Sequence, residues 1–213
     1  QKTAYEIGVR LVGSEMCIRD SIDRNKFIIL LPGRITYWKG QKIFIEAIKL
    51  LCEKSDTPPL EAIILGSDQG RNVYKKQLIG LVQQYRLSKV IKFIDHCSEM
   101  PVAYGIANIV CSCSSEPEAF GRVAVESQSM QVPIIASDIG GSKETIIEGK
   151  TGYLFKNKDP IDLANSIAAV MQKDYNSLKS IGFEGRKNVL KKFDVDKMCQ
   201  TTFTEYKKLI ELS

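Results

Sequence analysis

The sequence predicts an α/β protein built on a Rossmann-like open parallel sheet with helices on both faces. From Lys26 onward, short apolar runs alternate with amphipathic helical segments. Continuous apolar runs are typical of strands that are buried on both faces, and helices between successive strands imply that the strands are parallel. The chain has 213 residues, 44% of them hydrophobic, which is enough for one sizeable core.

The first half of the chain carries three of the predicted strands, KFIILLP, LEAIILG and VIKFI. After the first strand, the loop GRITYWKG leads into a helix with one apolar face, and SDTPP ends that helix. A second helix is expected from about Val73 to Tyr85, between the second and third strands.

The second half adds the strands IVCSC, VPIIAS and TGYLF. A short helix is expected in SEMPVAYGIAN, with Ser98 as its N-cap. Another helix, which begins near Gly121, separates IVCSC from VPIIAS. The tail from Pro160 onward is expected to form two or three helices.

Composition excludes several functional classes. The net charge of +5 is scattered, and no dense Lys/Arg run with interleaved aromatic residues predicts a nucleic-acid partner. No apolar run approaches the roughly 18–20 residues that span a bilayer. The six cysteines have no C-x-x-C spacing, and His96 is the only histidine, so reduced thiols and a cytoplasmic location are favoured over a zinc site or disulfides.

Two glutamates in EPEAFGRVAVESQSM, Glu118 and Glu126, lie eight positions apart. Eight helical residues span roughly 12 Å, or less if Glu118 precedes the helix, which is about the reach from the ribose to the sugar of a nucleotide-sugar. The free N–H groups at the start of the helix, near Arg122 and Val123, would face the diphosphate. A solvated helix face has the same spacing, so the pair alone leaves both interpretations open.

Open parallel sheets bind ligands at the carboxyl ends of their strands. The loops that follow the first three strands place Gly33-Arg34, Gly66 and His96 at that edge. Lys39 follows Arg34 by five residues, and two cations in one loop could neutralise a departing pyrophosphate without a metal ion. A surface turn explains an isolated GR…KG pair equally well, and for His96 a role at a nucleobase edge or in the structure is favoured over general-base catalysis.

Taken together, four motifs resemble one family. GRITYWKGQ, LGSDQGR, EPEAFGRVAVE and GGSKETIIEGKTGYL occur in the order found in the carboxy-terminal domain of group 1 glycosyltransferases, which form family 4 and have the GT-B architecture. The resemblance covers about Ile22 to Ser213. It implies one Rossmann-like half of a GT-B enzyme, with a helical C-terminal tail.

The resemblance implies a retaining transferase that takes a sugar from a nucleotide-diphosphate sugar and needs neither a metal ion nor a cofactor. Glu118 would contact hydroxyls of the donor sugar, Glu126 the ribose, and Arg34 and Lys39 the phosphates. The backbone of four residues would complete the diphosphate site: Phe120, Gly121, Arg122 and Val123. The acceptor is expected to be a cell-envelope glycan or a lipid-linked saccharide, and peripheral association of the full-length enzyme with the membrane stays open.

Two stretches depart from the family pattern. Gln131 stands where a glycine usually ends the helix, so that helix end has to tolerate a side chain. Residues 1–21 lack the usual lead-in and are expected to be foreign to the protein or disordered. Residues 22–213 would then be the donor-binding domain of an enzyme whose N-terminal acceptor domain is absent, and this chain would bind donor but transfer little.

There are two alternatives to a transferase. One is a nucleotide-sugar-binding module without catalytic activity, and the other is a sugar epimerase with the GT-B fold. The complete set of Arg34, Lys39, Glu118 and Glu126 favours the transferase over a decayed module. An epimerase would be expected to carry further acid–base residues, and the sequence shows no candidates for them.

Overall fold

The structure is a computed structural model that describes residues 22–23, 25–70, 72–95 and 97–211. The expectation for residues 1–21 and the assignment of His96 therefore lie outside the described residues. Six strands are present among them, and all six predicted strands are confirmed: β1 (Phe27–Pro32), β2 (Leu60–Leu65), β3 (Ile91–Ile94), β4 (Ile109–Ser112), β5 (Ile134–Ser137) and β6 (Tyr153–Phe155).

The helices between these strands, and the three helices after β6, also follow the predicted order. A 3-10 turn, Tyr37–Lys39, precedes the first of them. They are α1 (Gln41–Cys52), α2 (Asn72–Gln84), α3 (Met100–Ile106), α4 (Arg122–Ser129), α5 (Ser142–Thr145), α6 (Pro160–Met171), α7 (Tyr175–Lys192) and α8 (Val195–Glu211).

The strands form one parallel sheet in the order β3-β2-β1-β4-β5-β6. The chain moves outward from β1 to β3 and then crosses back to place β4 on the other side of β1. In the register of this pair, Ile29 lies opposite Ile109. The strand order reverses between β1 and β4, and the loops at their carboxyl ends therefore meet at the switch point where such sheets bind ligands.

Apolar layers cover both faces of the sheet. On one face α1, α2 and α6 pack against the strands, and α1 contributes the buried Phe44, Ile45, Ala47, Ile48 and Leu51. On the other face α3 and α4 pack through residues such as Tyr104 and Ala124. Cys111 and Cys113 both point into the first layer, as the alternation in IVCSC predicts.

Helix starts agree with the local sequence in α6 and α7 but not in α3. Asp159 caps α6 by accepting bonds from the amides of Ile161 and Asp162, and Asp174 caps α7 through Ser177. The expected N-cap of α3, Ser98, is wrong. The N-cap is Glu99, whose side chain makes no capping bond, and Pro101 in the first turn needs no amide partner.

The tail ends in a helix of a different kind from the others. No residue of α8 is buried, and its large apolar side chains, including Met198, Phe203, Tyr206 and Leu209, are exposed. Among the described residues, no helix combines the length and the apolar character that crossing a membrane requires.

Candidate functional site

The loop after β1 carries the two predicted cations. Gly33 lies against Gly66 at the end of β2, where a Cβ on Gly66 (φ 153°) would stand 2.0 Å from the Gly33 carbonyl oxygen. This contact lets the two loops lie side by side and leaves Arg34 exposed at the edge of the sheet. The buried side chain of Gln41 donates from Nε2 to the Arg34 carbonyl at 2.8 Å, which ties the loop to the first turn of α1.

Lys39 points from the end of the 3-10 turn towards the loop after β4. Its Nζ lies 2.8 Å from Oε1 of Glu118, and both side chains are mostly buried, with 14% and 18% of their surface exposed. The ammonium also lies 4.4 Å from the centroid of the Trp38 ring. The strand order brings these residues together, because β1 and β4 are neighbours although Lys39 and Glu118 are 79 positions apart.

A second donor reaches the same oxygen of Glu118. Ser114, buried at the end of β4, donates its hydroxyl to Oε1. The backbone of Glu118 is held as well, since its carbonyl accepts from the amide of Gly141 at 2.8 Å. No bond to Oε2 of Glu118 comes from the residues that the structure describes, so this oxygen has both acceptor sites available.

Helix α4 begins directly after this loop, with Gly121 as its N-cap and no side-chain cap. Glu118 therefore precedes the helix, whereas Glu126 lies within it. The first amides of a helix have no intrahelical acceptors, so those of Arg122 and Val123 are placed to bind an anion. Phe120, 44% exposed, packs edge-to-face against Phe193 at a centroid distance of 5.4 Å, which fixes one side of the loop.

Glu126 lies one helical turn beyond Arg122 and bonds to it. Nη2 and Nε of Arg122 both approach Oε1 of Glu126, at 2.8 and 3.1 Å. The other oxygen, Oε2, accepts a 2.8 Å bond from the hydroxyl of Tyr104 on α3. Burial raises the pKa of Tyr104, and the neighbouring carboxylate raises it further, so the phenol keeps its proton at neutral and alkaline pH.

The structure thus brings most of the predicted residues to one edge of the sheet. Lys39 bonds to Glu118 rather than lying free beside Arg34, and the Arg34 guanidinium forms no ion pair with any described residue. Three contributors escaped the sequence prediction: Ser114, Tyr104 and the side chain of Gln41. For Glu126, the sequence does indicate one contact, because Arg122 and Glu126 have the i, i+4 spacing of paired helical side chains.

No group of three or more metal-ligating side chains occurs in the part of the chain that the structure describes. The thiols of Cys111 and Cys113 lie inside the core, and burial raises the pKa of each. Both thiols therefore stay protonated and are poor ligands and poor nucleophiles. The free amides at the start of α4 suit recognition of an anion, and the carboxylates of Glu118 and Glu126 suit hydroxyl groups on either side of it.

Residues 18–188 match the family model described as "Glycosyl transferases group 1". A D-inositol 3-phosphate glycosyltransferase of Corynebacterium glutamicum is 29% identical over 154 residues, which cover 71% of this chain and 37% of that protein. The chain thus spans little more than a third of this curated relative.

Two solved structures share the fold over nearly the whole chain. The C-terminal domain of LpcC, a glycosyl transferase group 1 family protein from Francisella tularensis, has a TM-score of 0.73 at 26% identity, and the match covers 92% of this chain and 100% of that domain. The Anabaena protein HepE, in complex with UDP-glucose, has a TM-score of 0.81 at 25% identity, with 93% of this chain and 54% of HepE covered.

Proposed function

Because this chain belongs to the group 1 glycosyltransferases, we propose that residues 22–213 are the donor-binding half of a retaining transferase that uses a nucleotide-diphosphate sugar without a metal ion. One observation carries the proposal: two carboxylates, each held by a cation and a hydroxyl, lie before and one turn after the start of α4, which has no side-chain cap. A carboxylate accepts hydrogen bonds from hydroxyl groups, and a helix start accepts a phosphate.

Each part of the donor has a place in this arrangement. The ribose binds at Glu126, the diphosphate at the amides of Phe120, Gly121, Arg122 and Val123, and the sugar at Glu118. Gly33 and Gly66 allow the adjoining loops to approach each other, and His96 remains a proposed contact of the nucleobase. HepE, which binds UDP-glucose, supports a donor of this class.

Arg34 and Lys39 supply the positive charge that a departing diphosphate needs. Lys39 already contacts Glu118, so one cation can lie between the sugar-binding carboxylate and the leaving group. In the proposed reaction, the bond from the anomeric carbon to the diphosphate oxygen breaks and its electron pair goes to the diphosphate. The acceptor oxygen bonds to the same face of that carbon, and its proton passes to the leaving diphosphate, which the two cations stabilise.

A second domain would provide the acceptor site. HepE and the Corynebacterium relative are much longer than this chain, which leaves room in such enzymes for a domain of this kind. We therefore expect the chain alone to bind donor and to transfer sugar poorly. The protonated, buried thiols Cys111 and Cys113 fit a reducing compartment, so we place the enzyme in the cytoplasm.

Calorimetric titration with UDP-, GDP- and ADP-sugars in the presence of EDTA tests the proposal. We expect saturable binding of at least one of them. Glu126→Ala should weaken a nucleoside diphosphate and its sugar conjugate equally, by about tenfold or more, since a hydrogen bond to a charged group is lost. Glu118→Ala should weaken only the conjugate. A folded sample that binds none of the three would refute the proposal, and two variants that bind like the parent would refute the residue assignment.

A further inference from the structure

Tyr104 is a buried tyrosine whose hydroxyl bonds to a partly exposed carboxylate of the candidate site. Its side chain lies in the apolar layer between α3, α4 and the sheet, and the residue is 2% exposed. The hydroxyl donates to Oε2 of Glu126 at 2.8 Å. A buried phenol needs a polar partner, yet a backbone carbonyl would serve as well, so the choice of a carboxylate calls for an explanation.

The division of bonds on Glu126 supplies that explanation. A carboxylate has about four acceptor sites, two on each oxygen. The two bonds from Arg122 occupy Oε1, and the bond from Tyr104 occupies one site on Oε2. Among the described residues no other donor reaches this carboxylate, so the remaining site is on Oε2, and the oxygen available to a ligand is the one whose position Tyr104 sets.

The two partners of Glu126 differ greatly as restraints. The side chain of Arg122 is 83% exposed, and exposed i, i+4 pairs hold their geometry weakly. Tyr104 has two rotatable side-chain bonds and is packed on all sides, so its hydroxyl occupies a fixed point. A free glutamate side chain loses rotamer entropy when it is ordered, and a rigid donor removes part of this cost before the ligand arrives.

We propose that Tyr104 is a positioning residue that orients the Glu126 carboxylate towards the ribose hydroxyls and so strengthens binding of ribonucleotides. This inference rests on the proposed function, because it needs the ribose to lie at Glu126. Tyr104 itself does not contact the donor. Its effect should therefore disappear when either the carboxylate or the ribose hydroxyls are removed.

The test compares two ligands on one variant. The first ligand is the nucleotide among UDP, GDP and ADP that binds the parent most tightly. The second is the 2′,3′-dideoxy form of the same nucleotide. Calorimetry measures the affinity of Tyr104→Phe for each. We expect the affinity for the ribonucleotide to fall about fivefold to tenfold and the affinity for the dideoxy ligand to change less than twofold. The control Tyr74→Phe removes the hydroxyl of another buried tyrosine, on the opposite face of the sheet, and should change neither affinity.

The outcomes separate this inference from the proposed function. An equal loss for both ligands assigns Tyr104 a purely structural role, and no loss for either ligand also overturns the inference. If the parent binds both ligands equally well, the ribose is not at Glu126, and the assignment of Glu126 and the inference fail together. The proposed function itself fails only if the parent binds neither the nucleotides nor their sugar conjugates.

A second variant guards against poor folding of Tyr104→Phe, in which Oε2 of Glu126 has lost its bond from the phenol while Oε1 keeps its bonds from Arg122. Glu126→Ala/Tyr104→Phe removes this carboxylate altogether. Its affinity for the ribonucleotide should match that of Glu126→Ala within twofold. A further loss beyond Glu126→Ala would show that Tyr104 acts by another route.

Discussion

Glu118 and Glu126 are held by the same pair of groups, a cation and a hydroxyl, but the two pairs are built differently. At Glu118 the cation, Lys39, is distant in sequence and mostly buried, and the hydroxyl of Ser114 is four positions away. At Glu126 the cation, Arg122, is four positions away and 83% exposed, and the hydroxyl of Tyr104 is distant and buried.

The difference shows which contact fixes each carboxylate. The exposed Arg122 adds little, because solvent competes with it and its long side chain remains mobile, whereas Ser114 is buried. A buried partner from another element is rigid and poorly solvated, so its loss leaves an unsatisfied group. The position of the Glu118 carboxylate should therefore depend on its buried ion pair with Lys39. The position of the Glu126 carboxylate should depend on the buried phenol of Tyr104.

The largest effect is expected from a change that displaces the Glu118 loop alone. Gly140 has a φ of 58°, and a Cβ there would stand 2.7 Å and 2.8 Å from the backbone O and N of Glu118. Gly140→Ala should lower the free energy of unfolding by about 3 kcal/mol and weaken sugar-dependent binding more than nucleotide binding. Urea denaturation and titration with UDP and a UDP-sugar measure the two effects.

Gly149→Ala is the matched control for Gly140→Ala. Its φ of 70° imposes a similar backbone strain, but a Cβ there meets nothing within 4 Å. We expect a loss of about 1 kcal/mol, typical of a left-handed alanine, with no change in binding. Equal losses at the two positions would mean that the close approach to Glu118 is unimportant.

A smaller effect follows from exchanging the two cations for the same apolar side chain. Lys39→Met leaves Glu118 without its buried ion pair, so we expect the free energy of unfolding to fall by about 1–2 kcal/mol. Arg122→Met removes an exposed pair and should cost less than about 0.5 kcal/mol. Chemical denaturation at low and high salt measures both, and a cost for Arg122→Met as large as for Lys39→Met would contradict the comparison.

The distinction between partners that are close in sequence and partners that are distant in sequence explains what could be predicted from the sequence. The apolar runs located all six strands, most directly β4 and β5, which are buried along their whole length, and least directly β3, which is only partly buried. The start of α4 was predictable from Gly121, and the Arg122–Glu126 contact follows from helical spacing alone. These features depend on neighbours along the chain.

The buried partners could not be predicted in this way. The contact between Lys39 and Glu118 requires β4 to lie beside β1, which is a property of the strand order. Tyr104 lies 22 positions before Glu126 on a separate helix, and an apolar segment such as MPVAYGI predicts burial of the ring without naming a partner for its hydroxyl. Ser98 illustrates the opposite error, since a favourable capping residue lay one position too early.

The smallest effect tests the far end of the helix that carries Glu126. Gln131, exposed and at a φ of 60°, follows the last turn of α4, where Val132 N–H donates to the Ser127 carbonyl and Gln131 N–H to that of Gln128. This is the bonding pattern in which glycine is favoured. Gln131→Gly relieves the left-handed strain, but it also gives the unfolded chain more freedom, so we expect a net gain of only about 0.5 kcal/mol.

Lys158→Gly is the control for Gln131→Gly, because Lys158 is also exposed, with a φ of 63°, and lies outside α4. A similar gain at both positions, measured by urea denaturation, would assign the effect to backbone strain. Nucleotide affinity should be unchanged in both variants, since Glu126 takes its orientation from Tyr104 and not from the end of the helix. A change in affinity for Gln131→Gly alone would mean that the helix end, and not the buried phenol, sets the position of the carboxylate.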